Sequence, residues 1–191
     1  MGPWTDPLGK CVVDGNTPGL GKCKAPFDPG VVIDDKGIGW LSFGGGDSDD
    51  YIPGDARIVR LANDMKTLDS EIVEIKAPYH FEANELNYLN GTWIYTYNTN
   101  WKNRDAWPHK DIDKPSRCCM SYMTSRTPLE TDSWTYRDNY FKNPGDYGMS
   151  DSNNHTHLVK FQGKYYLFYT HWACRTAATS KWVSAVSAWK K

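Results

Sequence analysis

Two acidic residues differ from the other carboxylates of the sequence because each lies where an apolar strand is expected to begin. Asp28 precedes the apolar residues 30–33, and Glu82 lies among the aromatic residues of segment 78–88. Aromatic neighbours would shield Glu82 from water, and this disfavours the charged form of a carboxyl group, as a general acid requires. The pair predicts proton-transfer chemistry if the fold brings both side chains together.

Each of these two residues also has an ordinary structural interpretation. Asp28 could form an Asx turn before Pro29, and Glu82 could be exposed on an edge strand. A further group of aspartates lies in turns and polar loops, where exposure to solvent is expected: Asp34, Asp35, Asp47, Asp49 and Asp50.

Three segments share one pattern that would position such side chains. Residues 31–43, 86–97 and 157–169 each contain a short strand, a glycine-containing turn and an aromatic-rich strand. The Asn90-Gly91 turn is a strong hairpin signal because both positions tolerate positive φ. The sequence therefore predicts three antiparallel hairpins.

A second strand pair follows two of these hairpins. Residues 57–69 and 119–134 each resemble a strand, a polar turn and an outer strand. Units of about four strands that repeat along the chain favour a β-propeller, in which equivalent positions of successive units converge on one axis. A β-sandwich is the alternative. Near the end of the sequence, residues 183–189 alternate as a strand does.

Composition excludes several classes of protein. The 191 residues carry a formal net charge of −1, with 22 basic and 23 acidic residues, so nucleic acid is not an expected partner. The sequence lacks an apolar run of the roughly 18 residues that a membrane span needs, and it lacks a signal peptide. The 9 Trp, 12 Tyr and 6 Phe fit both sugar stacking and strand packing.

The five cysteines leave the redox compartment open. Cys11 and Cys23 could form a disulfide across a loop, or they could be free thiols. The remaining cysteines are Cys118, Cys119 and Cys174, and no Cys-x-x-Cys pair supports a zinc site.

Several short segments, taken in order, resemble glycoside hydrolase family 43. They are residues 27–31 (Phe-Asp-Pro-Gly-Val), 41–46 (Leu-Ser-Phe-Gly-Gly-Gly), 78–83 (Pro-Tyr-His-Phe-Glu-Ala), 97–101 (Tyr-Asn-Thr-Asn-Trp), 122–125 (Tyr-Met-Thr-Ser), 153–155 (Asn-Asn-His) and 163–169 (Gly-Lys-Tyr-Tyr-Leu-Phe-Tyr). This family contains five-bladed β-propeller enzymes, among them α-L-arabinofuranosidases, β-xylosidases and arabinanases. The resemblance covers roughly residues 2–171. It implies that residues 1–191 form one partial, all-β catalytic propeller with about three to four of the five blades.

The resemblance also implies roles for the two carboxylates. Glu82 would be the general acid, and Asp28 would orient it during hydrolysis of arabinoxylan, xylan or arabinan with inversion of configuration. The family's third carboxylate, an aspartate that acts as general base from the first blade, has no counterpart here, because Asp6 and Asp14 lie in loop sequence. We therefore expect a fragment of a longer enzyme; a catalytically inactive or carbohydrate-binding propeller is the alternative.

Three further residues acquire expected roles from the resemblance. His155 corresponds to a histidine near an axial ion, often calcium, in some members of the family, although it could equally be a hydrogen-bonded core residue. Trp101 and Phe43 could stack on sugar, or they could pack in the core. No cofactor is required. Members of the family are often secreted, so the full-length protein is expected to be exported.

Overall fold

The computed structural model describes residues 2–169, and this part of the chain is built almost entirely from β-strands. It contains ten strands and two 3₁₀ turns, at Thr131–Ser133 and Pro144–Tyr147. The strands are β1 (Gly30–Ile33), β2 (Gly39–Phe43), β3 (Arg57–Arg60), β4 (Val73–Glu74), β5 (His80–Leu89), β6 (Thr92–Thr99), β7 (Met120–Ser125), β8 (Thr135–Phe141), β9 (Thr156–Phe161) and β10 (Lys164–Tyr169). The all-β prediction is confirmed.

The strands form two consecutive four-stranded antiparallel sheets, followed by a hairpin. The first sheet has the order β1-β2-β3-β4, the second has the order β5-β6-β7-β8, and β9 pairs with β10. The three predicted hairpins and the units of four strands are thus confirmed. The outer strands predicted within residues 57–69 and 119–134 are misplaced, because those stretches end in turns and the outer strands β4 and β8 follow them. The strand predicted over residues 183–189 lies outside the described residues.

The turns form for the local reasons that the sequence suggested. Asn90 and Gly91 have φ values of 50° and 78°, so both occupy the left-handed region that this tight hairpin turn needs. The turn between β1 and β2 differs from expectation, because Asp34 is 8% exposed rather than solvated. Its carboxylate accepts hydrogen bonds from the backbone N–H groups of Lys36 and Ile38 and from Trp40 Nε1, at 2.9, 2.9 and 3.0 Å.

The core lies between the first two sheets, and aromatic residues fill much of it. Ile58 and Ile75 from the first sheet region pack in one cluster with Leu86, Tyr95 and Tyr97 from the second sheet. Tyr95 and Tyr97 are completely buried and stack at 5.5 Å between ring centroids. Apolar burial contributes roughly 25 cal/mol per Å², so these aromatics stabilise the packing of one sheet on the other.

The described residues contain neither a disulfide nor a helix that could cross a membrane. Cys11, Cys23, Cys118 and Cys119 are free thiols, so the Cys11–Cys23 disulfide is not formed. Between residues 2 and 169 there is no helix of the length and apolarity that a membrane crossing requires.

A buried carboxylate joins the second sheet to the β9–β10 hairpin. Glu85 on β5 is 13% exposed and lies 2.7 Å from His157 Nδ1. It also accepts hydrogen bonds from the Leu158 N–H, at 3.0 and 3.2 Å from its two oxygens. Burial raises the pKa of Glu85, while the Leu158 N–H and His157 lower it.

The first two sheets meet at a run of three glycines, residues 44–46. The Gly44 N–H donates to the Phe27 carbonyl and the Gly46 N–H donates to the Phe81 carbonyl, both at 3.0 Å. Gly44 has a φ of 122°, and a Cβ atom there would lie 2.1 Å from the Asp55 carbonyl oxygen. This run therefore needs glycine for close backbone approach as well as for conformation.

We expect Gly44→Ala to lower the free energy of unfolding by about 3 kcal/mol, because a methyl group would overlap a backbone atom that cannot move freely. Gly15→Ala is the matched control, since a Cβ atom at Gly15 would meet nothing within 4 Å. Urea unfolding of both variants measures the difference. Equal stability of the two variants would show that the glycine run is not a packing constraint.

Candidate active site

The structure brings Asp28, Glu82 and His155 together. One ligand-type atom from each side chain lies within 4.8 Å of the other two. Asp28 lies just before β1 and Glu82 lies on β5, and these are the first strands of the two sheets. Residues 54 positions apart in sequence thus share one site because β5 packs against β1.

Asp28 is held by the backbone of the neighbouring sheet. Its Oδ2 accepts a hydrogen bond from the Ala83 N–H at 2.8 Å. Asp28 itself has a φ of 50°, in the left-handed region that aspartate tolerates better than most residues. The contact is charge-assisted, and such hydrogen bonds are roughly twice as strong as neutral ones. Asp28 is therefore fixed next to the residue that follows Glu82.

Glu82 is largely shielded from solvent, although it lies on the first strand of its sheet. Its side chain is 14% exposed. Glu82 Oε1 accepts a hydrogen bond from Asn153 Nδ2 at 2.9 Å. The shielding that we attributed to aromatic neighbours is thus supplemented by a polar residue from a distant loop.

That loop is anchored by buried asparagines. Asn154 Nδ2 donates to the Cys118 carbonyl at 2.9 Å, and Asn98 Nδ2 donates to the Asn154 carbonyl at 2.8 Å. Both asparagine side chains are completely buried. Because Asn154 is fixed, its neighbours Asn153 and His155 are presented to the carboxylates on either side.

His155 completes the cluster at its solvent-facing edge. Its side chain is about half exposed, and Nε2 lies 3.6 Å from Glu82 Oε1. The Glu82 carboxylate raises the pKa of His155, burial opposes this effect, and the Asp28 charge adds to the increase. An imidazolium is therefore favoured beside two carboxylates.

The cluster does not match the donor set that calcium prefers. Calcium takes six to eight oxygen ligands, whereas this group offers two carboxylates and one imidazole. Both carboxylates already accept amide hydrogen bonds, from Ala83 and Asn153. An axial calcium ion near His155 stays a prediction.

Trp101 is linked to Glu82 through hydrogen bonds with Asn153. Its Nε1 donates to Asn153 Oδ1 at 2.8 Å, and Asn153 in turn donates to Glu82. Trp101 is half-buried. It also borders a polar cavity of about 400 Å³ with Asp49, Lys102, Asn103 and Asp105. The indole therefore borders this cavity on one side and is linked to Glu82 through Asn153 on the other.

The loop that carries Trp101 is held by Arg104. The guanidinium donates to Asn100 Oδ1 at 2.6 Å and to the Lys102 carbonyl at 2.7 Å. It also lies 4.4 Å from the centre of the Tyr79 ring. These contacts give a long connection between β6 and β7 a defined shape.

Phe43 does not take part in the site, and the suggested stacking role is wrong for this structure. It is 2% exposed and packs with Leu41 and Val59 in a second core cluster. The alternative interpretation, core packing, holds. The reason is that Phe43 ends β2, which is buried along its whole length.

Asp6 and Asp14 organise their own loops. Asp6 Oδ1 accepts hydrogen bonds from the backbone N–H groups of Leu8 and Gly9, and Asp14 Oδ1 accepts one from Asn16. Both aspartates are exposed. They thus have turn-forming contacts, in agreement with their loop sequence.

Sequence reasoning assigned no role to Asn153 and did not anticipate the contact of the Ala83 amide. Asn153 belongs to the Asn-Asn-His segment that carries part of the family resemblance. That resemblance could have singled out Asn153, but it implied a role only for His155. The Ala83 contact is a backbone interaction, and side-chain identity does not reveal it.

We expect the pKa of His155 to lie above 6.5 in the unaltered chain and to fall in Glu82→Gln, because the amide removes the nearest negative charge. An NMR titration of the His155 ring protons measures both values. Glu85→Gln is the control, since it removes an equally buried charge from the same strand without altering the cluster. An unchanged pKa in Glu82→Gln would contradict the proposed pairing.

The chain was compared with known proteins. The family described as Glycosyl hydrolases family 43 matches residues 1–183. An arabinoxylan arabinofuranohydrolase of Bacillus subtilis (strain 168) is 36% identical over 183 residues, covering 88% of this chain and 33% of the relative. One of Paenibacillus polymyxa is 33% identical over 177 residues, covering 88% of this chain and 26% of the relative.

Solved structures show the same relationship. A crystal structure of the Bacillus subtilis family 43 arabinoxylan arabinofuranohydrolase in complex with cellotetraose superposes with a TM-score of 0.76 at 35% identity, covering 88% of this chain and 34% of that one. An α-L-arabinofuranosidase of Clostridium thermocellum gives a TM-score of 0.69 at 27% identity, covering 91% and 51%. The chain spans about a third or less of the length of the two arabinofuranohydrolases it matches. The resemblance read from the short segments is confirmed, and the chain belongs to glycosyl hydrolases family 43.

Proposed function

We propose that this chain supplies the general acid, and the residue that orients it, to a glycosidase acting on arabinose- or xylose-containing plant polysaccharide. The observation that carries the proposal is the convergence of Asp28 and Glu82, borne by two different sheets, within 4.8 Å of each other. Glycoside hydrolysis needs a carboxylic acid that protonates the leaving glycosidic oxygen, and Glu82 with Asp28 beside it fits that half of the machinery.

Glu82 acts as proton donor to the leaving glycosidic oxygen. Asn153 and His155 both face Oε1, so Oε2 carries the proton towards the sugar. Asp28 is held by the Ala83 amide next to Glu82, and it orients the acid and adjusts its proton affinity. Hydrolysis proceeds with inversion, in which a general base on the opposite face activates water.

The architecture proposed for the complete enzyme is a five-bladed β-propeller, of which the two described sheets and the β9–β10 hairpin form part. Closure of such a propeller would cover the outward faces of the first and last units, as neighbouring units do in repeat proteins. Residues 1–191 are assigned to one partial catalytic domain of this kind.

Arabinoxylan is the substrate that the relatives favour, since both carry that name and are 33% and 36% identical to this chain. Trp101 supports it chemically, because an indole beside a polar cavity can stack on a sugar ring while Lys102 and Asn103 reach its hydroxyl groups. Secretion of the full-length protein is part of the same proposal, because the polysaccharide lies outside the cell.

We expect Glu82→Gln to lower kcat on arabinoxylan by a factor of about 10²–10⁴, because an amide cannot donate the required proton. The assay measures arabinose release by the chain extended to the length of its relatives. Activity on an aryl arabinofuranoside with an acidic phenol leaving group should fall much less, because the phenolate can leave with little protonation.

Glu85→Gln is the matched control for this measurement. Glu85 lies three residues further along β5 and is 13% exposed, against 14% for Glu82. It binds Leu158 and His157 rather than the candidate site, so its variant should retain arabinose release. Equal losses in the two variants would remove Glu82 from the mechanism.

A second candidate function is carbohydrate binding without hydrolysis. It is favoured by the local hydrogen bonding of Asp6 and Asp14, which leaves the described site with two of the family's three carboxylates. Calorimetric titration with arabinoxylan oligosaccharides, followed by product analysis after long incubation, separates the two functions. Binding without product in the extended protein would favour this candidate.

A further inference from the structure

The strand that carries Glu82 departs from regular pairing on both sides of that residue. His80 pairs with Thr99, Glu82 with Asn98 and Glu85 with Thr96. Each interval therefore contains one more residue on β5 than on β6. Such β-bulges bend a strand and re-aim side chains, and they are common next to active sites. Glu82 lies between two of them.

The second bulge is what frees the Ala83 amide for Asp28. Ala83 has a φ of 60°, a left-handed conformation that alanine rarely adopts. Its N–H donates across to Asp28 Oδ2 at 2.8 Å instead of to the partner strand. The contact between the two carboxylate-bearing segments thus depends on an unfavourable backbone conformation that the surroundings must hold.

A buried polar bridge spans the bulged segment. His80 and Asn84 lie two residues before and two residues after Glu82, and His80 Nε2 is 3.0 Å from Asn84 Oδ1. The other ring nitrogen, Nδ1, is 2.8 Å from Asp55 Oδ1. The Tyr95 hydroxyl lies 2.8 Å from His80 Nε2 and also bonds Asn84 Oδ1. All four side chains are buried.

The bridge is tied to the first sheet as well. Asn84 Nδ2 donates to the Gly44 carbonyl at 2.6 Å, and Asp55 lies two residues before β3. A buried polar network costs free energy unless its members are satisfied, and a satisfied network rigidifies what it connects. Here it connects both ends of the bulged segment to the sheet that presents Asp28.

We propose that His80 is a positioning residue for Glu82: with Asp55 and Asn84 it braces the two bulges and so holds Glu82 and the Ala83 amide beside Asp28. The effect on catalysis rests on the proposed function, whereas the bracing itself does not. His80 acts through the strand and does not contact the sugar.

Two substitutions of His80 separate its contact with Asp55 from its contact with Asn84. In His80→Asn the shorter amide can still donate to Asp55 but cannot reach Asn84, whereas in His80→Gln the longer amide can reach Asn84. Hydrogen exchange by NMR on the 191-residue chain reports the Ala83 amide directly. We expect exchange at Ala83 to become about tenfold faster in His80→Asn, as loss of one net hydrogen bond implies, and to be largely restored in His80→Gln.

Two controls distinguish bracing from general destabilisation. The Leu61 amide, which bonds the Gly39 carbonyl in the first sheet at 2.8 Å, should keep its protection in His80→Asn. Tyr97→Phe removes another buried hydrogen bond of the same sheet, from the Tyr97 hydroxyl to the Pro78 carbonyl, and should leave Ala83 unchanged. Equal acceleration at Ala83 and Leu61 would overturn the proposal, as would no change at Ala83. If His80→Asn does not fold, Asn84→Ala provides the comparison, because it removes the partner of His80 Nε2 from the other end of the same link.

The catalytic consequence is tested with the extended protein. A misplaced general acid should reduce turnover of arabinoxylan at least about tenfold more than turnover of an aryl arabinofuranoside with a good leaving group. Equal losses on both substrates would refute the catalytic consequence. If the unaltered extended protein released no sugar at all, the proposed function would fail, and the exchange data would still decide the bracing.

Discussion

A backbone hydrogen bond from Ala83 to the Asp28 carboxylate is the contact on which the candidate site depends. It joins two sheets that are separate in sequence, and it fixes one acidic side chain immediately beside the strand that carries the other. A backbone donor cannot rotate away as a side chain can, so the spacing between Asp28 and Glu82 follows from the packing of the sheets. Any change that separates the sheets by a few tenths of an ångström would be transmitted to both carboxylates.

The close approach of the sheets has a recognisable physical basis in backbone conformation. The glycine run at residues 44–46 bonds the carbonyl groups that precede Asp28 and Glu82, and the neighbours of Gly44 and Gly45 leave no room for a side chain. Several non-glycine residues around the site also have positive φ: Asp28, Tyr79, Ala83 and Cys118. Conformations of this kind persist only where surrounding contacts enforce them, and they concentrate at functional sites.

Buried amide side chains fix the shape of the loops by hydrogen bonding, as strand pairing fixes the shape of the sheets. Asn98, Asn143 and Asn154 bond backbone groups of the segments that flank the site, and Arg104 does the same for the connection that carries Trp101. The loops therefore present Asn153, His155 and Trp101 in defined positions although they contain little regular structure. His155, whose side chain is about half exposed, forms the solvent-facing side of the cluster.

The amino-acid sequence alone was sufficient for the hairpins and the family, because turn chemistry and alternation are local properties and the family segments occur in a fixed order. It misplaced the outer strands β4 and β8, which begin after the turns that were taken to contain them. It also indicated Asp28 and Glu82 as the pair to examine. It could not decide between packing and stacking for Phe43, since an aromatic residue at the end of a strand has the same local pattern whether the strand is covered or exposed. It also led us to expect Asp34 in solvent, because a turn aspartate looks the same in sequence whether or not a tryptophan covers it.

Tertiary structure alone decided how the site is assembled. The two bulges around Glu82 lie between strand pairs whose residues are 11 to 19 positions apart, and the Asn153 contact with Glu82 spans 71 positions. Interactions over such separations are fixed by the packing of whole sheets, and no short stretch of sequence contains the information that specifies them. The sequence determined which residues could do the chemistry, and the packing of the two sheets determined which of them meet.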